Sequence, residues 1–362
     1  MASTVEEIAR RANVAPSTVY QVLRTPENER YTLATRKRIL RTARELHFFP
    51  HSAGRALARG KCQTIGLFSA RWDDPHLQKA LVAATSCVAE HEHDLLLTND
   101  VRVRAWHRIL LERKADLLIT VGLGHDPGEN FEALLKMKDR IAVVGPRIEP
   151  IFRPVQFWST SAVWDDQVGA ASVADHLLEL GHRELAVIGG EEVTVRVIGF
   201  VRRAIEAGAR PWVVLSRQSG LDSYQQHLAH MVEDRVVFTD EPSSDDLSVI
   251  GSRQLAALLQ VAPQTTAVFC RNDRVASGAI NRAQAMGLSV PASISIAGYC
   301  DELGEEAVLP KLTTVRTPIA KAVRDVLDRF FTSESDEQGW GESRVLHTEL
   351  IQRDSTAPPT RE

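Results

Sequence analysis

A short segment near the start of the chain presents hydrogen-bonding side chains at helical spacing. Its apolar side chains recur at Val19, Val22 and Leu23, so one face of a helix over 16–23 is predicted to be buried. The opposite face carries Pro16, Ser17, Tyr20 and Gln21. Hydroxyl and amide groups supply both donors and acceptors, so this outward face is able to form hydrogen bonds.

The residues around this segment predict three short helices. Thr4 and Glu7 have the spacing of a capping box at the start of a first helix. Asn13 tolerates the left-handed conformation that a tight turn needs before the second helix. A third helix over 33–46 is expected to begin after Thr32 as its N-cap. Two short helices around a tight turn, supported by a third, form a helix-turn-helix unit, although any small three-helix bundle has the same parts.

The charge of the chain is distributed unevenly. Residues 1–60 contain 11 Lys/Arg and 5 Asp/Glu, a balance of +6, whereas the whole chain sums to −4 and the remainder to −10. A basic head on an acidic body suggests that only the head meets a polyanion such as DNA. A chance cluster of solvated arginines is the alternative explanation of the charge alone.

Ordered motifs connect this head to the rest of the chain. They are Val5-Glu6-Glu7-Ile8-Ala9, Thr18-Val19, Thr35-Arg36-Lys37-Arg38-Ile39, Arg55-Ala56-Leu57-Ala58-Arg59-Gly60, Thr64-Ile65-Gly66-Leu67, Gly181-His182-Arg183, Asn272-Asp273, Gly287-Leu288-Ser289-Val290-Pro291 and Leu312-Thr313-Thr314-Val315-Arg316. In their order and spacing these motifs resemble the LacI/GalR (lactose repressor) family of bacterial transcription regulators. The resemblance extends from about residue 4 to residue 358.

The resemblance implies that the second helix enters the major groove and that a homodimer reads a pseudo-palindromic operator in double-stranded DNA. It assigns DNA contacts in the head to Thr4, Pro16, Ser17, Thr18, Tyr20, Gln21 and Arg24. Arg24 is expected at a phosphate. The family usually has Ser-Arg where this chain has Tyr20-Gln21, so the operator is expected to differ from the common one. Arg favours guanine, whereas Gln is able to bond adenine through both groups of its amide.

A short hinge segment, 52–58, joins the head to the body. Seven residues are far fewer than the about 12–15 that a lone helix needs in water, and Gly54 weakens the helix further. We therefore expect the segment to fold only when two copies pack together on DNA. The resemblance implies that Leu57 is an apolar wedge in the minor groove and that Arg55 and Arg59 contact phosphates. Without the resemblance, Leu57 is better explained as an ordinary linker leucine.

After the hinge, apolar strands alternate with helices. Strands are predicted at 65–69, 95–98, 117–121, 141–144, 185–188, 213–215, 236–238, 267–269 and 294–297. Such alternation predicts parallel sheets covered by helices, here an α/β body of two doubly wound lobes. The resemblance implies the periplasmic-binding-protein-like fold, in which the chain crosses between the lobes three times. We expect these crossings near Ser161, Ala292 and Lys321.

Four domains or segments follow from these features. The predicted boundaries are 1–50 for the helix-turn-helix domain, 51–61 for the hinge, 62–161 with 293–321 for the N-terminal lobe of the effector domain, and 162–292 with 322–362 for its C-terminal lobe. Ligands of such folds bind beyond the carboxyl ends of the strands. An effector pocket is therefore expected between the lobes.

Candidate effector-binding residues follow the predicted strands. The first strand is followed by Arg71, Trp72, Asp74 and His76, and the resemblance adds Arg196, Asn272, Asp273 and Cys300. Cys300 stands where the family has an aspartate that grips effector hydroxyls, and Thr317 stands where Gln is common. The effector, a sugar or related metabolite, is therefore not identified. Asp273 as a helix cap and Arg196 as a surface residue are the alternatives to ligand contact, and Trp164 is better explained by packing than by stacking on a sugar.

Other chemistry has little support in the sequence. His91-Glu92-His93 resembles a metal-binding pair but lacks further ligands at suitable spacing. The four cysteines lie far apart, as free thiols do. No nucleophile motif is present, so we expect no catalysis, cofactor or metal. No stretch approaches the about 20 apolar residues of a membrane span and no apolar leader opens the chain, so a cytoplasmic location is expected.

The leading hypothesis is a transcription repressor controlled by a small-molecule effector that binds between two lobes. One alternative is a solute-binding protein or enzyme with the same body fold, against which the basic head and hinge argue. Another is a DNA-binding regulator whose effector pocket is altered or vestigial, which the residues Cys300 and Thr317 favour. The identity of the effector, the operator sequence and the direction of regulation are left open.

Overall fold

A computed structural model of the chain gives a helical head and an α/β body. It describes residues 5–24, 30–48, 61–69, 72, 75–100, 102–122, 136–146, 160–189, 195–216, 228, 231–232, 235–240, 246–304, 306–333 and 341–360. Within these ranges no helix is long and apolar enough to cross a membrane. Six residues with a predicted role at DNA or at the effector lie outside them: Thr4, Arg55, Leu57, Arg59, Arg71 and Asp74.

The head contains the three predicted helices. They are α1 (Val5–Ala12), α2 (Pro16–Arg24) and α3 (Leu33–Glu45). Asn13 has a φ of 49°, which confirms the predicted left-handed turn between α1 and α2. Thr32 Oγ1 accepts the backbone N–H of Thr35 at 3.3 Å, which confirms the predicted N-cap of α3. The helices enclose a small core of Ile8, Ala9, Ala12, Val19, Val22, Ile39 and Ala43.

The first lobe is built on a six-stranded parallel sheet. Its strands are β1 (Thr64–Phe68), β2 (Asp94–Thr98), β3 (Leu117–Val121), β4 (Ile141–Pro146), β5 (Thr160–Trp164) and β12 (Ser343–Leu346). Their spatial order is β12-β5-β4-β3-β1-β2. One face is covered by α4 (Pro75–Glu90) and α10 (Ile319–Ser333), and the other by α5 (Val103–Leu111). Because both faces are covered, strands such as β3 are buried along their whole length.

The second lobe has a five-stranded parallel sheet. Its strands are β6 (Leu185–Ile188), β7 (Trp212–Ser216), β8 (Val236–Thr239), β9 (Ala267–Cys270) and β10 (Ser295–Ala297), in the order β10-β9-β6-β7-β8. Its helices are α6 (Asp166–Glu179), α7 (Val195–Glu206), α8 (Leu247–Val261) and α9 (Asp273–Ala285). α8 and α9 pack closely because each has a glycine at the contact. A Cβ added at Gly278 would lie 1.8 Å from the carbonyl oxygen of Ser248.

A small antiparallel sheet lies where the lobes join. It pairs β11 (Thr314–Arg316) with β13 (Glu349–Ile351). Val315 and Leu350 of this sheet pack against the second lobe. The chain therefore crosses between lobes after β5 at residue 165, after β11 at 317–318, and after β12 at 347–348.

The crossing predicted near Ala292 is wrong, and so are the lobe boundaries that follow from it. The strand β10 pairs in parallel with β9, so the chain stays in the second lobe beyond Ala292. The crossing expected near Lys321 lies three to four residues earlier, at 317–318, and it leads into the first lobe, because α10 packs in the core of that lobe. The predicted boundaries, which give 293–321 to the first lobe and 322–362 to the second, have this direction reversed. The crossing expected near Ser161 lies four residues later, at Asp165, because Ser161 is inside β5. A three-residue strand and one amphipathic helix carry no pattern of their own that selects between two similar lobes.

Candidate nucleic-acid interface and effector cleft

The outer face of α2 has the predicted composition. Val19 and Val22 are fully buried in the head core, and Leu23 packs partly against it. Pro16, Ser17 and Tyr20 are exposed, whereas Thr18 and Gln21 are half-buried at the edge of that face. The helix thus offers one apolar side to the head and one hydrogen-bonding side to solvent. Arg24 ends α2, and its contact with a phosphate stays a prediction.

Gln21 has a partner that its own helix does not supply. The hydroxyl of Tyr31 donates to Gln21 Oε1 at 2.5 Å. Tyr31 lies one residue before the N-cap of α3, and its ring packs against the head core. The side chain of Gln21 is therefore held by another residue of the head, Tyr31, in the absence of any partner.

The N-terminus of α2 has no side-chain cap, because the residue before it is Ala15. The carbonyl oxygen of Ala15 accepts the N–H groups of Thr18 at 2.9 Å and Val19 at 3.2 Å. The N–H groups of the first turn have no partner within the helix, and they give this end a partial positive charge. A helix end of this kind suits a DNA phosphate.

A buried ionic cluster lies beside the first crossing between the lobes. Asp166 Oδ2 is 2.7 Å from Arg196 Nε, and the two side chains are only 3% and 14% exposed. Asp166 Oδ1 accepts the indole N–H of Trp164 at 2.9 Å and the hydroxyl of Tyr299 at 3.0 Å. Arg196 was predicted as an effector contact or a surface residue, and this burial excludes the second alternative. Trp164 is fully buried in the core of the first lobe, as its packing interpretation predicts.

Cys300 adjoins this cluster in place of the aspartate that the resemblance leads one to expect. Arg196 Nη1 lies 3.3 Å from Cys300 Sγ and donates to the carbonyl of Arg271 at 3.1 Å. The guanidinium carbon also lies 4.3 Å from the centre of the Tyr299 ring. Because Asp166 supplies the carboxylate, the charge of Arg196 is balanced within the protein.

Lys79 connects the two lobes directly. It lies on α4 of the first lobe, and its Nζ donates to the carbonyls of Cys300 at 3.1 Å and Asp301 at 2.5 Å in the second lobe. Both carbonyls belong to residues with positive φ, 97° and 48°. Non-glycine residues keep this conformation only where their surroundings impose it. Asp301 is fixed by Arg353 at 2.8 Å and Arg316 at 2.7 Å.

Asn272 and Asp273 are bonded within the second lobe. Asn272 Oδ1 caps α9 by accepting the N–H of Val275 at 2.9 Å, so the cap is Asn272 and not Asp273. Asp273 accepts the hydroxyl of Thr314 at 2.5 Å and the N–H of Glu302 at 2.7 Å. Burial raises the pKa of Asp273 to about 7. Burial likewise raises the pKa of the neighbouring Glu302 carboxyl.

The remaining candidates lie on the first-lobe side. Trp72 is 54% exposed, which leaves its ring largely in solvent. The ring centres of His76 and Trp164 are 5.8 Å apart, so His76 is close to the ionic cluster. Thr317, at the second crossing, is buried, and its hydroxyl has no hydrogen-bond partner among the residues that the structure describes. Contact of any of these residues with an effector stays a prediction.

The His91-Glu92-His93 segment has a packing role. The ring of His91 stacks on Phe331 of α10 with centres 3.9 Å apart, and the ring of His93 meets the same phenylalanine edge-on at 4.9 Å. Among the described residues, no group of three or more His, Cys, Asp or Glu side chains is arranged to hold a metal ion. The four cysteines are free thiols.

Several residues of this region were not predicted as site residues from the sequence. Asp166 follows β5, a strand that the sequence pattern did not reveal, and the pair Asp165-Asp166 after an apolar Ala-Val-Trp run is the signal that marks it. Lys79 and Tyr31 have no such signal, because each acts on a residue that is distant in the sequence.

Comparison with known families agrees with this architecture. Residues 174–356 match the family described as a periplasmic binding protein-like domain. The chain belongs to this family. The matched region covers just over half of the chain and includes most of the second lobe of the periplasmic binding protein-like body, together with α10 and β12 of the first.

Relatives of the whole chain confirm the LacI/GalR resemblance. The HTH-type transcriptional repressors PurR of Shigella sonnei and of Escherichia coli O1:K1 are each 27% identical over 370 residues, which cover 98% of this chain and 97% of the relative. Among solved structures, a LacI-family regulator from Silicibacter pomeroyi aligns with a TM-score of 0.75 at 18% identity, covering 98% of this chain and 99% of that one. The lac repressor dimer bound to operator and the anti-inducer ONPF aligns with a TM-score of 0.74 at 19% identity, covering 99% and 100%. This protein, with its periplasmic binding protein-like body, is a LacI/GalR-family regulator.

Proposed function

We propose that the protein is a homodimeric, sequence-specific repressor of transcription that binds a pseudo-palindromic operator through α2. The observation that carries the proposal is the division of α2 into a buried apolar face and an exposed face of Pro16, Ser17 and Tyr20, with Gln21 at its edge. A helix of this kind, packed on two others, is how helix-turn-helix proteins place side chains in the major groove. The balance of +6 over residues 1–60 supplies the attraction to phosphates.

The relatives support a repressor and an effector-controlled body. PurR is named a transcriptional repressor, and the lac repressor structure contains operator and an anti-inducer. A CelR–cellobiose complex, 21% identical and with a TM-score of 0.61, contains a sugar. We infer that this chain binds a small polar metabolite between its lobes and that its role is binding and not catalysis. A regulator that acts on the chromosome of a bacterium works in the cytoplasm.

The test of the proposal is selection of operators from random duplexes by the full-length protein. We expect a pseudo-palindrome bound at nanomolar affinity, with binding that falls steeply as salt rises. Gln21→Ala is expected to relax preference at one symmetric pair of positions, at a cost of about 1–3 kcal/mol per lost contact. Gln78→Ala, the same change at an exposed position of α4, is the control. Selection of no common sequence, or binding without salt dependence, refutes the proposal.

A second candidate, a DNA-binding regulator with an altered pocket, is favoured by one specific observation. Arg196 Nε and Nη1 are already bonded to Asp166, the Arg271 carbonyl and the Cys300 sulfur. A pocket of this kind grips fewer ligand hydroxyls than one with a free carboxylate. Thermal-shift screening of sugars, nucleobases and amino acids distinguishes the two candidates, because an altered pocket gives no shift with neutral sugars while operator binding is intact.

A further inference from the structure

The bond between Tyr31 and Gln21 sets the chemistry that α2 offers to DNA. The hydroxyl of Tyr31 donates a hydrogen bond to the side-chain oxygen Oε1 of Gln21. The atom of Gln21 that faces Tyr31 is therefore its oxygen. In a planar carboxamide the nitrogen then lies on the other side of the group, away from Tyr31.

We infer that Tyr31 fixes the amide of Gln21 so that its nitrogen faces the DNA, which makes position 21 a hydrogen-bond donor that prefers guanine to adenine. The inference rests on the proposed function. A free glutamine bonds adenine with both amide groups, since adenine presents the N7 acceptor beside the N6 donor. Guanine presents two neighbouring acceptors, N7 and O6, which suit a group that offers only N–H donors.

The surroundings of Tyr31 make it a positioning residue. Its ring packs against the head core, and the backbone of the next residue is fixed by the Thr32 cap of α3. The hydroxyl is therefore held in place by the fold, and it orders a side chain that would otherwise move at the edge of α2. Ordering before association lowers the entropic cost of binding, so Tyr31 contributes to affinity as well as to selectivity.

The experiment compares Tyr31→Phe with the unaltered full-length protein in operator selection followed by sequencing. The change removes the hydroxyl and keeps the ring in its packing site. We expect the unaltered protein to select guanine at one symmetric pair of positions, and Tyr31→Phe to shift the guanine-to-adenine ratio there by about tenfold towards adenine. In a Gln21→Ala background the same change is expected to leave that ratio unaltered.

Thr85→Val is the control, because it removes the hydroxyl of an exposed threonine on α4, where it bonds the carbonyl of Leu81 and lies outside the head. It is expected to leave the ratio at the Gln21 positions unchanged, and thermal melts check that both variants fold. If the unaltered protein selects adenine at these positions, or Tyr31→Phe leaves the ratio unchanged, the inference is wrong while the proposed function stands. If the unaltered protein selects no sequence, both are wrong.

Discussion

The carboxyl group of Asp273 is buried away from water, so its ionisation lowers the stability of the folded protein. Its pKa is raised by burial from 3.8 to about 7. The folded state therefore holds the proton more tightly than the unfolded state. The stability that this group contributes is complete below about pH 4 and is lost as the pH rises through about 7.

Asp273→Asn imitates the protonated carboxyl and does not ionise. We expect the difference in melting temperature, variant minus unaltered protein, to increase between pH 5 and pH 8. Burial lowers the pKa of His176 and His182, which destabilises both proteins below about pH 6.5, but these effects cancel in the difference. Melts at four pH values measure it. A difference that does not change with pH shows that Asp273 is ionised throughout.

Residue-level features were predictable where they depend on near neighbours in the sequence. The left-handed Asn13, the Thr32 cap and the buried face of α2 each involve positions within one or two turns of chain. The contact of Arg196 with Asp166 spans 30 positions, and that of Lys79 with Cys300 spans 221. Such pairs are set by the fold as a whole, so sequence patterning indicated the lobes but not the ionic cluster between them.

At the scale of elements, most of the strands were predictable and their partners were not. All nine predicted strands are present, because buried parallel strands are short apolar runs with turns on either side. β5 was missed since it begins with Thr160 and Ser161, polar residues that are nevertheless fully buried. β10 was placed in the wrong lobe. Packing and the length of the connections decide which sheet an edge strand joins. The composition of the strand alone does not predict this choice.

The hinge segment 52–58 is the element on which DNA binding is expected to depend most. It lies outside the described residues, and its length alone predicts that Leu57 buries its side chain only in the complex. We expect Leu57→Ala to weaken specific binding and reduce operator bending while leaving the melting temperature of the free protein nearly unchanged. Leu111→Ala, at an exposed leucine of α5, is the control. A lower melting temperature with normal bending identifies Leu57 as a core residue instead.

At the scale of the whole molecule, the two lobes are joined by three chain crossings and by the contacts of Lys79. The crossings lie at residues 165, 317–318 and 347–348, and no other segment of the described chain passes between the lobes. Lys79 lies on α4 and binds two carbonyls that follow β10, so its ammonium group connects the first lobe to the second. Hydrogen bonds from charged donors contribute about 1.5–3 kcal/mol each when buried, and less at a partly exposed site such as this one.

Lys79→Met removes this tie and keeps the length of the side chain. We expect hydrogen exchange of the backbone around Cys300 and Asp301 to accelerate by about tenfold, because the lobes separate more often. The radius of gyration from X-ray scattering is expected to rise, and bound effector is expected to restore both values. Lys114→Met is the control, since it also removes one charge from the first lobe but breaks a pair with Glu112 in that same lobe. Equal exchange in the two variants would show that Lys79 is not needed to keep the lobes closed.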